Sequence, residues 1–254
     1  MNVSYFSENR ALRLAYVRTA SSEGGHSLPA VLFLGGFKSD MMGTKAIYLE
    51  AQCTARGQEF VRFDYTGHGL SDGVFVDGII GSWKQDAKDI LDHVVMAREV
   101  ILVGSSMGGW IALRLLIEHS ARIAGVVGIA AAPDFTKDIE SRMGQAERAM
   151  VDKIGRLEVA NDYSDEPYIF TKELLEDGRM QSVLHENYSI SCPLTLIQGK
   201  LDADVPWEKA LKIQKCFQGP AAHIEFVEDG DHRLSRDQDL ALINTHIMKL
   251  SGMV

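Results

Sequence analysis

The chain has 254 residues, 46% hydrophobic and 24% charged, a composition that suits one large domain with a sizeable core. Its 26 Lys and Arg are dispersed among 35 Asp and Glu for a net charge of -9, so it offers no basic face to a phosphate backbone, and nucleic acid is not expected as a partner. Cys53, Cys192 and Cys216 form no CxxC pair and leave one over, which argues against a disulfide framework and for a reducing compartment.

Along the chain, MNVSYFSENR carries no basic segment followed by an apolar stretch, and the longest apolar run, Ile123 to Ala132, is too short to span a membrane. A soluble, cytoplasmic protein without stable membrane insertion is expected. ALRLAYVRT alternates as a half-exposed strand does, and is expected at an antiparallel edge. Strand-like apolar runs then recur at Ala30–Leu34, Glu59–Phe63, Val100–Val103, Ala124–Ala130, Leu194–Ile197 and His223–Val227. Helix candidates lie between or after them, at Met42–Arg56, Gly81–Met96, Met107–Glu118, Trp207–Cys216 and Asp237–Leu250. Strands rich in β-branched residues that alternate with amphipathic helices predict an α/β fold, with a mostly parallel central sheet and helices on both faces.

Directly after the run at Ala30–Leu34, FLGGFKSD supplies a glycine-rich turn. It resembles a phosphate loop, but Phe37 stands where the Walker pattern needs glycine before Lys38, and GHGLSDG further on lacks G-x-G-x-x-G spacing. No cluster of His, Cys and Asp has metal-ligand spacing. Neither a cofactor nor a metal is implied.

ILVGSSMGGW places two serines between glycines at the end of a strand. A nucleophile on a sharp strand-to-helix turn brings the residues two before and two after it into close contact, so both favour glycine. Gly104 and Gly108 flank Ser106 in that register, whereas Ser105 would have Val103 and Met107 there. Ser106 is the candidate nucleophile. The oxyanion of its tetrahedral intermediate needs donors, and the backbone N–H groups of Phe37 and Met107 are assigned to it.

From Asp134 to Ser191 the strand–helix rhythm breaks. The core is therefore expected to comprise residues 1–133 and 192–254, with 134–191 a helical cap insertion. Met143, Ala146, Met150 and Ile154 recur there at helical spacing, and Met143 and Met150 are candidates for a substrate pocket under the cap.

A serine hydroxyl needs a general base and a carboxylate to orient that base, in this architecture in the chain order serine, acid, histidine. Of the eight histidines, His223, His232 and His246 follow a suitable acid. His223 lies within a strand-like run and His246 within the final helix, so both read as packing or surface residues. His232, in the loop sequence EDGDHRLS, is the candidate base. LTLIQGKLDADVPW offers Asp202 and Asp204. Asp202, three residues past Gly199, is favoured as the acid, and Asp204 reads as a cap for the helix that begins near Pro206.

LGGF, FDYTGHGLSDG, GSSMGG, GKLDADVPW and DGDHR together resemble the α/β-hydrolase superfamily across nearly the whole length. GSWKQDAKDILD, DADVPW and DHR are more narrowly similar to the ABHD-group thioesterases and esterases and their bacterial relatives. The resemblance implies a serine hydrolase of small-molecule esters or acyl-thioesters, with Ser106, Asp202 and His232 at the triad positions and the insertion as cap. A serine nucleophile disfavours the aspartate-dependent dehalogenases and epoxide hydrolases. Carbon–carbon bond hydrolysis by the same triad, or a slow-turnover ligand receptor, remains the alternative. Gly35 departs from relatives that often have His or Pro there.

Overall fold

The structure is a computed structural model that describes residues 2–8, 10–160, 166–219 and 221–254. In chain order the core begins with strands β1 (Ser4–Phe6), β2 (Leu14–Thr19) and β3 (Ala30–Leu34), helix α1 (Thr44–Ala55), β4 (Phe60–Phe63), α2 (Ile80–His93), β5 (Val100–Ser105), α3 (Met107–His119) and β6 (Ile123–Ile129). Between the core strands then stand α4 (Phe135–Arg142), α5 (Gln145–Ile154), β7 (Arg156–Val159), β8 (Tyr168–Thr171), α6 (Lys172–Met180) and β9 (Tyr188–Ser189). The chain closes with β10 (Leu194–Gly199), α7 (Glu208–Cys216), β11 (Phe217–Gln218), β12 (Ala222–Val227) and α8 (Asp237–Leu250).

Eight strands form one sheet in the order β1-β2-β4-β3-β5-β6-β10-β12. Pairing is antiparallel at β1–β2 and β2–β4 and parallel from β4 through β12. Its central strands are unbroken apolar runs because both faces are covered. Val31, Phe33, Ile101 and Val103 pack toward Ala46, Leu49 and Cys53 of α1 and Ile243 and Ile247 of α8. Leu32, Leu34, Val100 and Leu102 alternate to the other face, against Trp83 and Ile90 of α2 and Trp110 and Leu115 of α3.

Two expectations are corrected. The ALRLAYVRT strand is not the edge, because β1 pairs outside it, and Leu14, Ala15 and Val17 are buried. The insertion is not wholly helical: β7 and β8 form an antiparallel pair between α5 and α6. Its alternation was masked by charges, since Arg156, Glu158 and Val159 are exposed and only Leu157 of β7 is buried.

Asp134 joins the insertion to the core. It adopts a left-handed conformation (φ 59°) at the start of α4, and its buried carboxylate accepts Ser182 Oγ (2.6 Å) and the amides of Val183 (2.9 Å) and Leu184 (3.1 Å). From the core side, the buried Lys209 of α7 reaches Asp138 on α4 (2.5 Å) and the carbonyl of Pro133 (3.3 Å). Together these contacts fasten α4 where it faces the C-terminal ends of the sheet strands.

Candidate active site

Ser106 sits between the last residue of β5 and the first of α3, with φ 53° and ψ -115°. This backbone is costly for a residue with a side chain and persists only where the surroundings enforce it. The enforcement is steric. A Cβ on Gly104 would stand 2.3 Å from the Gly108 carbonyl oxygen, and one on Gly108 would stand 2.0 Å from that of Leu34. Both serines border a cleft, but Ser105 is buried as the last residue of the strand, whereas Ser106 on the turn is partly exposed to it.

His232 comes from the loop between β12 and α8. Its Nε2 lies 3.2 Å from Ser106 Oγ and its Nδ1 2.9 Å from Asp202 Oδ2. Asp202 follows β10, and its side chain is wholly removed from solvent. Four hydrogen bonds hold it: Oδ2 accepts His232 and Gln198 Nε2 (3.0 Å), and Oδ1 accepts the amides of Asp204 (2.9 Å) and Val205 (2.8 Å). The loops that carry Asp202 and His232 meet closely at Gly199, where a Cβ would fall 2.3 Å from the Gly230 carbonyl oxygen. Asp204 is exposed, and α7 opens at Trp207 without a side-chain cap, so Asp204 does not cap that helix.

The cleft encloses about 630 Å³. Phe37 and Met107 both line it, and neither backbone N–H donates to another described residue. Two amides are thus available beside Ser106. Neither Met143 nor Met150 lines the cleft, which corrects the pocket expected from the helical stripe. Met143 ends α4 and is buried in the core, and Met150 points outward with 51% of its surface exposed. The insertion instead contributes Phe135 and Ile139 from α4, Val159 from β7, and Tyr168 and Phe170 from β8.

Sequence reasoning missed Gln198, Lys45 and the role of the Phe37 ring, having singled out Phe37 for its backbone N–H alone. Phe37 is the hub of an aromatic cluster, stacked on Phe170 (5.3 Å between centroids) and edge-on to Phe75 (4.9 Å), Phe135 (5.7 Å) and Tyr168 (5.6 Å). Its ring ties the GGF turn to the insertion. Gln198, whose amide reaches Asp202 and the Val205 carbonyl (3.2 Å), was signalled only by a lone amide near the end of an apolar strand. Lys45 lines the cleft and donates to the carbonyl of Arg233, and burial lowers its ammonium pKa to about 8. No local pattern marks it, since its acceptor lies on a distant loop.

A family model described as serine aminopeptidase, S33, matches residues 26–176, a stretch that includes the β5–Ser106–α3 turn. The chain belongs to the α/β-hydrolases. Among relatives of this family, the mitochondrial palmitoyl-protein thioesterase ABHD10 of Mus musculus is 31% identical over 262 residues, covering all of this chain and 85% of that protein. A pimeloyl-[acyl-carrier protein] methyl ester esterase of Legionella pneumophila is 26% identical over 238 residues, covering 82% of this chain and 92% of the relative. A crystal structure from Agrobacterium vitis S4 is 40% identical, superposes with a TM-score of 0.91 and covers 98% of each chain. Among the described residues of this α/β-hydrolase, no helix is long and apolar enough to cross a membrane.

Proposed function

We propose that the chain is a serine hydrolase that cleaves carboxylic esters or thioesters through an acyl-enzyme on Ser106. One observation carries this reading: an unbroken run of hydrogen bonds leads from the buried Asp202 through both ring nitrogens of His232 to Ser106 Oγ. The thioesterase and esterase relatives support the choice of ester and thioester carbonyls as substrates. The three cysteines are free thiols, which fits work in a reducing compartment such as the cytoplasm.

Asp202 accepts the Nδ1–H of His232, which leaves the Nε2 lone pair facing the serine hydroxyl. As Ser106 Oγ attacks the carbonyl carbon, Nε2 takes its proton. The N–H groups of Phe37 and Met107 receive the negative charge on the former carbonyl oxygen, each worth roughly 3 kcal/mol in comparable enzymes. His232 then passes its proton to the departing alcohol or thiol. Water, deprotonated by the same ring, releases the acid and restores the hydroxyl. The acyl chain lies in the cleft against Phe135, Ile139, Tyr168 and Phe170.

The test pairs a fluorophosphonate label with a crossed panel of acyl lengths on oxygen and sulfur leaving groups. Ser106→Ala is expected to abolish labelling and nearly all turnover, and Ser105→Ala to keep the label. Retention of the label by Ser106→Ala and its loss from Ser105→Ala would reject the assignment. Labelling of the wild type with turnover of diketones but of no ester or thioester would move the reaction to carbon–carbon cleavage.

A further inference from the structure

We propose that His223, Glu225 and His246 form a binding site for a single zinc ion on the far edge of the sheet, joining β12 to α8. β12 is the last strand in the sheet order, and His223 and Glu225, two apart on it, project to one face. His246 on α8 meets them there. Glu225 Oε2 lies 3.3 Å from His223 Nε2 and 3.7 Å from His246 Nε2, and the three donor atoms all fall within 4.8 Å of one another.

Zinc bonds to nitrogen and carboxylate oxygen measure about 2.0–2.2 Å, so tetrahedral geometry sets neighbouring donors roughly 3.3–3.6 Å apart. The two distances from Glu225 Oε2 bracket that range, the donors of the two imidazoles lie within 4.8 Å of each other, and side-chain rotations would close the set around an ion. Two imidazoles with one carboxylate form a mixed nitrogen and oxygen set of the kind zinc accepts, whereas magnesium and calcium favour oxygen alone.

His246 is buried, so the packing of α8 against β12 holds its imidazole beside the two strand residues, while the side chain of Lys249 is exposed. None of the three donors lines the cleft, so the ion would serve structure rather than the ester chemistry. Residues 223–246 would become a closed loop with His232 inside it, and closure of a loop stabilises the fold by restricting the unfolded chain. The sequence shows no ligand spacing because the third donor arrives from a separate helix.

Titration calorimetry with zinc chloride, alongside melting temperatures with and without the salt, tests this on the full chain stripped with chelator. The wild type is expected to bind one equivalent and to melt higher with zinc. His223→Ala, a change at an exposed side chain, and Glu225→Gln should each weaken binding by at least the roughly 10–100-fold typical of losing even an outer-shell partner, and should cancel the shift in melting. Asp202, Asp204 and His232 also bring donor atoms within reach of one another. Zinc binding that survives His223→Ala and Glu225→Gln but is lost in Asp204→Asn would place the ion there and overturn the proposal. Absence of a binding heat in the wild type, or an equal shift with magnesium chloride, would overturn it as well.

Discussion

Asp202 is saturated as an acceptor: each of its oxygens takes two hydrogen bonds. An amide at this position must turn an NH2 group either toward His232 and Gln198 or toward the backbone amides of Asp204 and Val205, donor against donor in both cases. The tautomer of His232 that faces Ser106 with a lone pair is then no longer favoured. Asp202→Asn should therefore lower kcat on a short-chain ester by about 10⁴, equivalent to roughly 5 kcal/mol. The exposed side chain of Asp204 lies outside this hydrogen-bond set, and its contribution to Asp202 is a backbone N–H that any residue supplies. Asp204→Asn is expected to stay within about 0.5 kcal/mol of wild type in stability and to retain most of its turnover. Measured side by side, a larger loss of kcat in the Asp204 variant at equal stability would move the acid to Asp204.

At the scale of elements, α4 lines the cleft together with β7 and β8 of the insertion. Asp134 and Lys209 fix it at both the chain entry and the facing helix, and its Phe135 and Ile139 form one wall of the cleft. α5 packs through Val151 and leaves Met150 and Ile154 outside. Ile139→Ala removes three carbons from the wall. At about 0.8 kcal/mol per buried methylene this costs up to about 2.4 kcal/mol, or roughly sixtyfold in kcat/KM, on a medium-chain ester that fills the cleft. Acetate esters should change little, and Met150→Ala should leave the whole chain-length profile in place. An equal shift in both variants, read from kcat/KM across an acyl series, would mean that the acyl chain runs elsewhere. Of the apolar stripe in the sequence, Ala146, Met150 and Ile154 fall on α5 and Met143 falls in the extended break after α4, and amphipathic spacing does not say which neighbour the apolar side meets.

Over the whole molecule, His68 sets part of the dependence of stability on pH. It lies edge-on to Phe75 (4.9 Å), Trp83 (5.1 Å) and Tyr65 (5.6 Å), with Nδ1 3.3 Å from the Thr66 carbonyl oxygen. Among the described residues its buried Nε2 has no hydrogen-bond partner. Burial lowers its pKa from 6.5 to about 4. Between these values the unfolded chain binds the proton and the folded chain does not, so stability is lost as pH falls through that window. From about pH 7.5 to about pH 5 the loss from this one group should be about 2 kcal/mol. Urea unfolding of the wild type and of His68→Leu at the two pH values checks it: the difference between the pH values should shrink by about that amount in the variant. An unchanged difference would show that His68 is already protonated, or exposed, in the folded state.

Most strand and helix positions in the core, and the register of Gly104, Ser106 and Gly108, were determined by the sequence alone. Each depends on neighbours within a few residues: a strand buried on both faces needs an unbroken apolar run, and the turn at Ser106 needs small residues at fixed offsets because carbonyl oxygens approach within 2.3 Å of where a Cβ would be. Tertiary structure alone decided which side chains line the cleft, that β1 rather than β2 forms the edge, that Phe37 links the GGF turn to the insertion, and that His246 meets β12. These contacts join residues far apart in sequence whose meeting depends on how whole elements pack. No local propensity records that packing, because the same apolar or charged residue suits an exposed face, a core or a binding wall until its neighbours are in place.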